Sequence, residues 1–207
     1  MKRTNRMDAP ELLAHVEAAA TTSVSTIHGG KLPMSWWSRE EDDPTFNSYY
    51  LAAGTEDLKY LEGVFVGYRA YRKGGNKPEF PFGIGLPYTT FSFRNLEVSA
   101  VSAKAGEPIT VSFEVANTGH RTGAEVAQVY VSDFSATVPR LERELKGFER
   151  VMLKPGESRR VSISLDRRSL SYWDVVSHGW KVDPGKFVVR VGDSAEITPL
   201  NREFTVE

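Results

Sequence analysis

The chain has 207 residues, of which 40% are hydrophobic and 11% aromatic, so it is long enough for one large or two small domains with a real core. Its net charge of -1 gives no basis for binding nucleic acid or a membrane surface. The absence of cysteine excludes disulfides and thiol catalysis. The four histidines lack metal-ligand spacing, so we predict no metal site and expect no cofactor.

Residues 1–29 are predicted to form a divergent N-terminal helix and linker. Asp8 is suited to cap a helix over residues 9–20, and Glu11 follows it by three positions, as in a capping box. The basic start MKRTNR precedes no apolar region, and no stretch approaches the ~20 apolar residues of a transmembrane helix. We therefore predict neither a signal peptide nor a membrane span, and the sequence leaves the compartment open.

Residues 30–94 are predicted to be largely irregular and to end in a rigid aromatic connector, from Glu62 to Phe93. The prolines of this connector fix φ and remove amide donors, while its glycines permit backbone conformations that are closed to other residues. Such a segment cannot form a regular helix or a central strand. Its rings must be buried against another surface, and we interpret the connector as one half of an interface.

Residues 95–207 show short alternating apolar runs separated by turn signals, which predict about seven strands and a β-sandwich of the immunoglobulin or fibronectin type III kind. The domain boundary is expected near Arg94-Asn95. Tyr130, Trp173 and Trp180 are predicted to be core or corner residues. The strand segments are predicted at residues 98–101, 109–116, 124–132, 145–153, 161–165, 172–173, 179–182, 187–191 and 204–206.

Two ordered groups of motifs resemble one enzyme family. The first comprises GKLPMS from residue 30, EDDP from 41, YLEGVFVGYR from 60 and FPFGIGLPYTTF from 80. The second comprises NTG from residue 117, GAEVAQVYV from 123, LKGF from 145, LKPGES from 153 and PG from 184. They resemble the end of the α/β-sandwich domain and the fibronectin type III-like C-terminal domain of glycoside hydrolase family 3, the β-glucosidase-like enzymes. The resemblance runs from Gly30 to the C-terminus, whereas residues 1–28 do not match the family.

The resemblance implies a parent enzyme that removes terminal β-linked glucose with retention, a reaction that needs two carboxyl groups ~5 Å apart. In the family, the nucleophile belongs to a (β/α)₈ barrel, and the acid/base glutamate lies upstream of the GKLP-like segment. We therefore expect no catalytic residue in this chain. It is expected to be a C-terminal fragment, from a split or truncated gene, that is structural and inactive alone. Its expected partners are the missing catalytic domains, in cis or as a second chain.

Three residues are weak candidates for contact with a β-glucoside or glucan. The flat faces of Trp36 and Trp37 suit stacking on pyranose rings, although packing in a core or at an interface is the favoured interpretation. Glu62 is a candidate buried carboxylate ahead of an aromatic strand, with a structural hydrogen bond as the alternative. The acidic run Glu40–Asp43 is more typical of a solvated turn than of an acid/base pair. A non-catalytic carbohydrate- or protein-binding sandwich, or a gene remnant, stays open as an alternative.

Overall fold

Two antiparallel β-sheets pack face to face in the computed structural model, which describes residues 30–49, 56–74 and 77–207. The strands are β1 (Phe91–Val98), β2 (Ser102–Ala103), β3 (Ile109–Asn117), β4 (Gly123–Asp133), β5 (Glu144–Leu153), β6 (Ser158–Leu165), β7 (Tyr172–Asp174), β8 (Gly179–Lys181), β9 (Gly185–Gly192) and β10 (Leu200–Val206). One sheet has the order β1-β3-β6 and the other β2-β10-β9-β4-β5, in which only β2 and β10 run parallel. The predicted mainly β sandwich is therefore confirmed.

The core lies between the two sheets and follows the alternation of the sequence. In β3, Ile109, Val111, Phe113 and Val115 are fully buried, and the residues between them face outward for most of the strand. The opposite sheet contributes aromatic and branched side chains, with the rings of Phe187 and Phe204 stacked at 5.5 Å. Each of these side chains contributes about 1.5–3 kcal/mol by leaving water.

Strand β4 differs from the others because it is buried on both faces. Ala127, Val129 and Val131 belong to the core between the sheets. Gln128 and Tyr130 alternate with them and therefore point to the outer face of the sheet, yet both are buried as well. A second layer must therefore cover this outer face, and it comes from the part of the chain that precedes β1.

That preceding part contains little regular structure among its described residues. A 3-10 turn spans Glu40–Asp42, and two short helices follow, α1 (Phe46–Tyr49) and α2 (Tyr68–Gly74). A third, α3 (Arg167–Leu170), follows β6 and is capped by Asp166, whose side chain accepts a hydrogen bond from the Ser169 amide. Within the described ranges, no helix is both long enough and apolar enough to cross a membrane.

Several local predictions are wrong. The segment after Glu62 is a pair of turns, with Gly63 N donating to Tyr60 O and Phe65 N to Glu62 O, and it leads into α2 instead of an aromatic strand. The first strand occupies Phe91–Val98, because its aromatic start pairs with the end of β3, and not residues 98–101. The described residues contain ten strands where about seven were expected. The predicted N-terminal helix over residues 9–20 lies outside the described residues.

Candidate functional site

The layer that covers β4 is a two-segment strap, formed by residues 30–38 and 77–90. Its segments run antiparallel: Leu32 N donates to Ile84 O at 2.8 Å, and Gly83 N donates back to Leu32 O at 2.8 Å. Further along, Trp36 N donates to Phe80 O, also at 2.8 Å. These bonds satisfy backbone groups that prolines and irregular conformation would otherwise leave unpaired. The strap is therefore a defined structure, and its second segment lies within the predicted connector, Glu62 to Phe93.

Gln128 joins the strap to the sandwich. Its side-chain amide donates to the carbonyl oxygens of Gly83, at 3.3 Å, and Asp193, and its own oxygen accepts from the Tyr130 hydroxyl. Burial raises the pKa of the Tyr130 phenol, so it stays a neutral donor. One amide thus satisfies polar groups of the strap, of β4 and of the loop after β9.

Gly83 is placed so close to this amide that no side chain fits. It has a φ of +82°, and a Cβ built on it would collide with the side-chain amide of Gln128. Next to it, Phe82 O accepts from Ala195 N at 2.9 Å. Both the conformation and the close approach therefore require glycine here.

Aromatic rings fill the rest of the seam between strap and sandwich. The Tyr68 ring stacks on Phe82 at 4.9 Å and meets Tyr130 edge-on at 6.1 Å. Its hydroxyl accepts a hydrogen bond from Leu145 N at 3.0 Å. The start of α2 is thereby fixed to both the strap and strand β5.

A buried ion pair closes one end of the seam. Lys31 Nζ lies 2.6 Å from Glu125 Oε1, and the carboxylate also accepts from Val126 N at 2.8 Å. Burial raises the pKa of Glu125, and Lys31 and the Val126 amide oppose this rise. Both side chains are largely buried, so removing either one leaves the charge of the other buried without a partner, which destabilises the fold.

Trp36 and Trp37 lie on the strap with their ring centroids 6.3 Å apart and tilted by 33°. Both are half-buried, and the backbone of Trp36 is bonded to the other strap segment. Glu62 lies elsewhere, in a recess of about 360 Å³ whose walls include neither tryptophan. Its carboxylate accepts from Ser48 Oγ at 2.7 Å, which is a structural hydrogen bond.

The recess beside Glu62 also holds a buried phenol. Tyr71 is 3% exposed, and within the described residues its hydroxyl has no hydrogen-bond partner. Burial, followed by the nearby charges of Asp43 and Asp42, raises its pKa to about 12. The acidic run is a turn whose carboxylates serve local contacts: Asp42 pairs with Arg39 at 3.2 Å, and Asp43 accepts from Thr45. No group of three or more potential metal ligands occurs in the described part of the chain.

A larger cleft lies beside the β7–β8 hairpin and was not predicted. It has a volume of about 720 Å³, and its lining includes Trp173, Trp180, residues 138–141 and 144–146, Val64 and Arg69. The prediction that both tryptophans are core or corner residues is wrong, because Trp173 is 50% and Trp180 43% exposed. They form a cross-strand pair in a hairpin that joins neither sheet. The shortness of these strands and their polar neighbours were the only sequence signals for this position.

Comparison with known proteins gives one family throughout. A model of the fibronectin type III-like domain matches residues 125–195. Probable β-glucosidase I of Aspergillus terreus is 43% identical over 185 residues, and thermostable β-glucosidase B of Acetivibrio thermocellus is 38% identical over 178 residues. Each match covers 86% of this chain but only 22% and 23% of the respective relative. The chain thus spans less than a quarter of the length of these relatives.

Solved structures agree with the sequence matches. The GH3 β-glucosidase of Bifidobacterium adolescentis superposes with a TM-score of 0.79 at 36% identity, covering 86% of this chain and 26% of that one. The β-D-glucoside glucohydrolase of Trichoderma reesei superposes with a TM-score of 0.83 at 27% identity over 98% of this chain and 32% of its own. The strap, the seam and the sandwich therefore have counterparts in these enzymes. In sequence and fold, the chain corresponds to the C-terminal part of glycoside hydrolase family 3 enzymes, including their fibronectin type III-like domain.

Proposed function

We propose that these residues act as structural support for the catalytic domains of a retaining β-glucosidase. The sandwich supplies a rigid base, and the strap fixed on it by Gln128 and the Lys31–Glu125 pair presents a surface to those domains. The whole enzyme would hydrolyse terminal β-D-glucosyl residues, as the names of its relatives indicate.

The observation that carries this proposal is an exposed apolar surface on the segment that leads into α2. Between residues 58 and 66 the side chains of Leu58, Tyr60, Leu61, Val64 and Val66 are all exposed, with Tyr60 at 75% and Leu61 at 73%. Apolar side chains concentrated in this way mark a surface that another protein part covers.

Catalysis is proposed to come from those domains and not from this chain. Retaining hydrolysis needs a nucleophilic carboxylate and an acid/base carboxyl ~5 Å apart across the scissile bond. Three carboxylates in or around the strap and the recess have other tasks, since Glu125 holds Lys31, Glu79 accepts from Ser38 and Glu62 accepts from Ser48. Trp36 and Trp37 remain proposed positions for contact with a sugar that the catalytic domains bind.

The test is an assay of the purified chain on a chromogenic β-glucoside, with an intact relative assayed under the same conditions as the positive control. We expect no release of chromophore above the uncatalysed rate. Robust hydrolysis of the β-glucoside by the chain without any added domain would contradict the proposal, because the chain would then contain its own pair of catalytic carboxyl groups.

A further inference from the structure

The cleft beside the β7–β8 hairpin has the dimensions of a ligand site. Its volume of about 720 Å³ falls in the range of ~300–1,000 Å³ that is typical of pockets for small ligands. Its walls combine apolar and aromatic side chains with polar ones, which is the composition of such pockets. It does not include Gln128, Gly83 or Lys31 of the seam, although Leu145, whose amide donates to Tyr68, and the exposed Val64 belong to its lining.

Two fixed indole rings border this cleft. Trp173 and Trp180 face each other across the hairpin, with their centroids 5.7 Å apart and their planes at 76°. The Arg168 guanidinium lies 4.5 Å from the centroid of the Trp180 ring, which orients that ring further. About half of each side chain nevertheless remains open to solvent. A ring that is already fixed loses little conformational entropy when a ligand stacks on it.

The carboxylates that line the cleft are already paired within the chain. Glu144 lies 2.9 Å from Arg140 and 2.6 Å from Lys146, and Asp166 accepts the α3 amide of Ser169 at 2.8 Å. Asp174 accepts from the Ser177 hydroxyl at 2.6 Å. The hydrogen bonds from Ser177 lower the pKa of Asp174, and those from Ser169 lower the pKa of Asp166. The lining holds four cationic and three anionic side chains, so the charges that a ligand would meet in the cleft nearly balance.

We propose that the tryptophan cleft binds a neutral oligosaccharide of pyranose units, at a site separate from that of hydrolysis. The flat C–H faces of pyranose rings stack well on an indole. Their hydroxyl groups can hydrogen-bond to carboxylate and guanidinium groups that are held in place. A protein partner fits less well, since the lining includes Glu144, Lys146, Asp166 and Asp174, and these residue types are depleted in protein interfaces. This inference does not depend on the proposed supporting role.

The test titrates the full chain with cellotetraose and laminaritetraose by isothermal calorimetry. Trp173→Ala and Trp180→Ala are each expected to weaken binding about tenfold or more, by loss of a stacking face. Trp173→Phe keeps a flat ring and should recover much of the affinity. Phe148→Ala is the matched control, because Phe148 is an exposed aromatic residue that does not line the cleft, and it should bind as the parent chain does.

Circular dichroism and thermal melts establish that each variant is folded before it is titrated. The proposal is overturned if the folded parent chain binds neither oligosaccharide, or if binding is unaffected by both alanine variants. It is also overturned if these variants leave sugar binding intact but weaken association with the catalytic domains of a relative, because the cleft would then be a protein interface. The proposal is supported if the two alanine variants lose sugar binding but still associate normally with the catalytic domains of a relative.

Discussion

Gly83 lies where the strap meets the sandwich, and the absence of a side chain decides how closely the two can approach. We predict that Gly83→Ala destabilises the chain by about 3 kcal/mol, since it combines a left-handed φ with a collision against the Gln128 amide. Urea unfolding followed by circular dichroism measures this change.

Gly156 provides the matched control, because its φ of +76° is similar but no described atom lies within 4 Å of the place that an added methyl group would occupy. Gly156→Ala should therefore cost only the strain of the left-handed conformation, about 1 kcal/mol. Equal losses in the two variants would show that the close approach at the seam contributes nothing.

Asp183 holds the loop after β4 to the β7–β8 hairpin. Its carboxylate accepts from Thr137 N at 2.9 Å, from Thr137 Oγ1 at 2.7 Å and from Tyr172, and it pairs with Lys181 at 2.9 Å. Burial opposes ionisation, but the Thr137 hydrogen bonds together with Lys181 and Tyr172 outweigh it, so the pKa of Asp183 is lowered. Its ionised form is therefore part of the stable native state.

We predict that Asp183→Asn costs about 2 kcal/mol at pH 7. Because the pKa of Asp183 is lower in the folded state than its value of ~3.9 in the unfolded state, the ionised carboxylate stabilises the fold at pH values above ~3.9. This stabilisation is lost as the pH falls towards the folded-state pKa, so the difference in unfolding free energy between the variant and the parent chain should be smaller at pH 3. Unfolding curves at the two pH values check this, with the exposed Asp57→Asn as control. A loss that is the same at both pH values would contradict this role of the charge.

The positions and contacts of individual side chains were harder to predict from the sequence than the strands were. Trp173 and Trp180 are indistinguishable by residue type from buried sandwich tryptophans, and their exposure follows from a hairpin that stands apart from both sheets. Gln128 gave no signal, because its partner Gly83 lies 45 positions away. Long-range contacts of this kind leave no trace in local periodicity.

At the scale of elements, the ion pair between Lys31 and Glu125 fixes the strap to β4. We predict that Lys31→Met costs about 3 kcal/mol at pH 7, because it leaves a buried carboxylate without a cation. The pKa of Glu125 then rises further, so the carboxyl is protonated in the native state at higher pH. Below pH ~4.3, the pKa of Glu125 in the unfolded state, the carboxyl is neutral in both the folded and the unfolded chain, so the destabilisation caused by Lys31→Met should become smaller.

Unfolding at pH 7 and pH 4 measures this dependence, and Lys31→Met/Glu125→Leu is the informative second variant. Replacing both partners removes the buried charge altogether and should restore most of the stability at pH 7. If the double variant is as unstable as the single one, or if the single variant behaves alike at both pH values, the ion pair does not fix the strap.

The strands and the connector differ in how far the sequence could predict them. Alternation located β3 to β6 and β9 closely, because burial of one face per strand imposes a period of two. The connector was predicted to be rigid from its prolines and glycines, and its rings were expected to be buried; Phe82 packs against Tyr68, whereas Tyr88 is 42% exposed. The surface that it covers could not be predicted, because the outer face of β4 shows no pattern beyond ordinary alternation.

At the scale of the whole molecule, the chain combines a complete sandwich core with an apolar surface at residues 58–66 that has nothing covering it among the described residues. The central proposal is that this surface, the strap and the sandwich together stabilise catalytic domains. The thermostable β-glucosidase B of Acetivibrio thermocellus offers a scaffold in which to test it.

The decisive measurement compares β-glucoside hydrolysis and thermal inactivation of three forms of that relative: intact, truncated before the region that matches this chain, and with this chain in place of that region. We predict that the truncated form loses activity and heat resistance and that the chimera regains both. The account is contradicted if the truncated form is as active and as heat-stable as the intact enzyme.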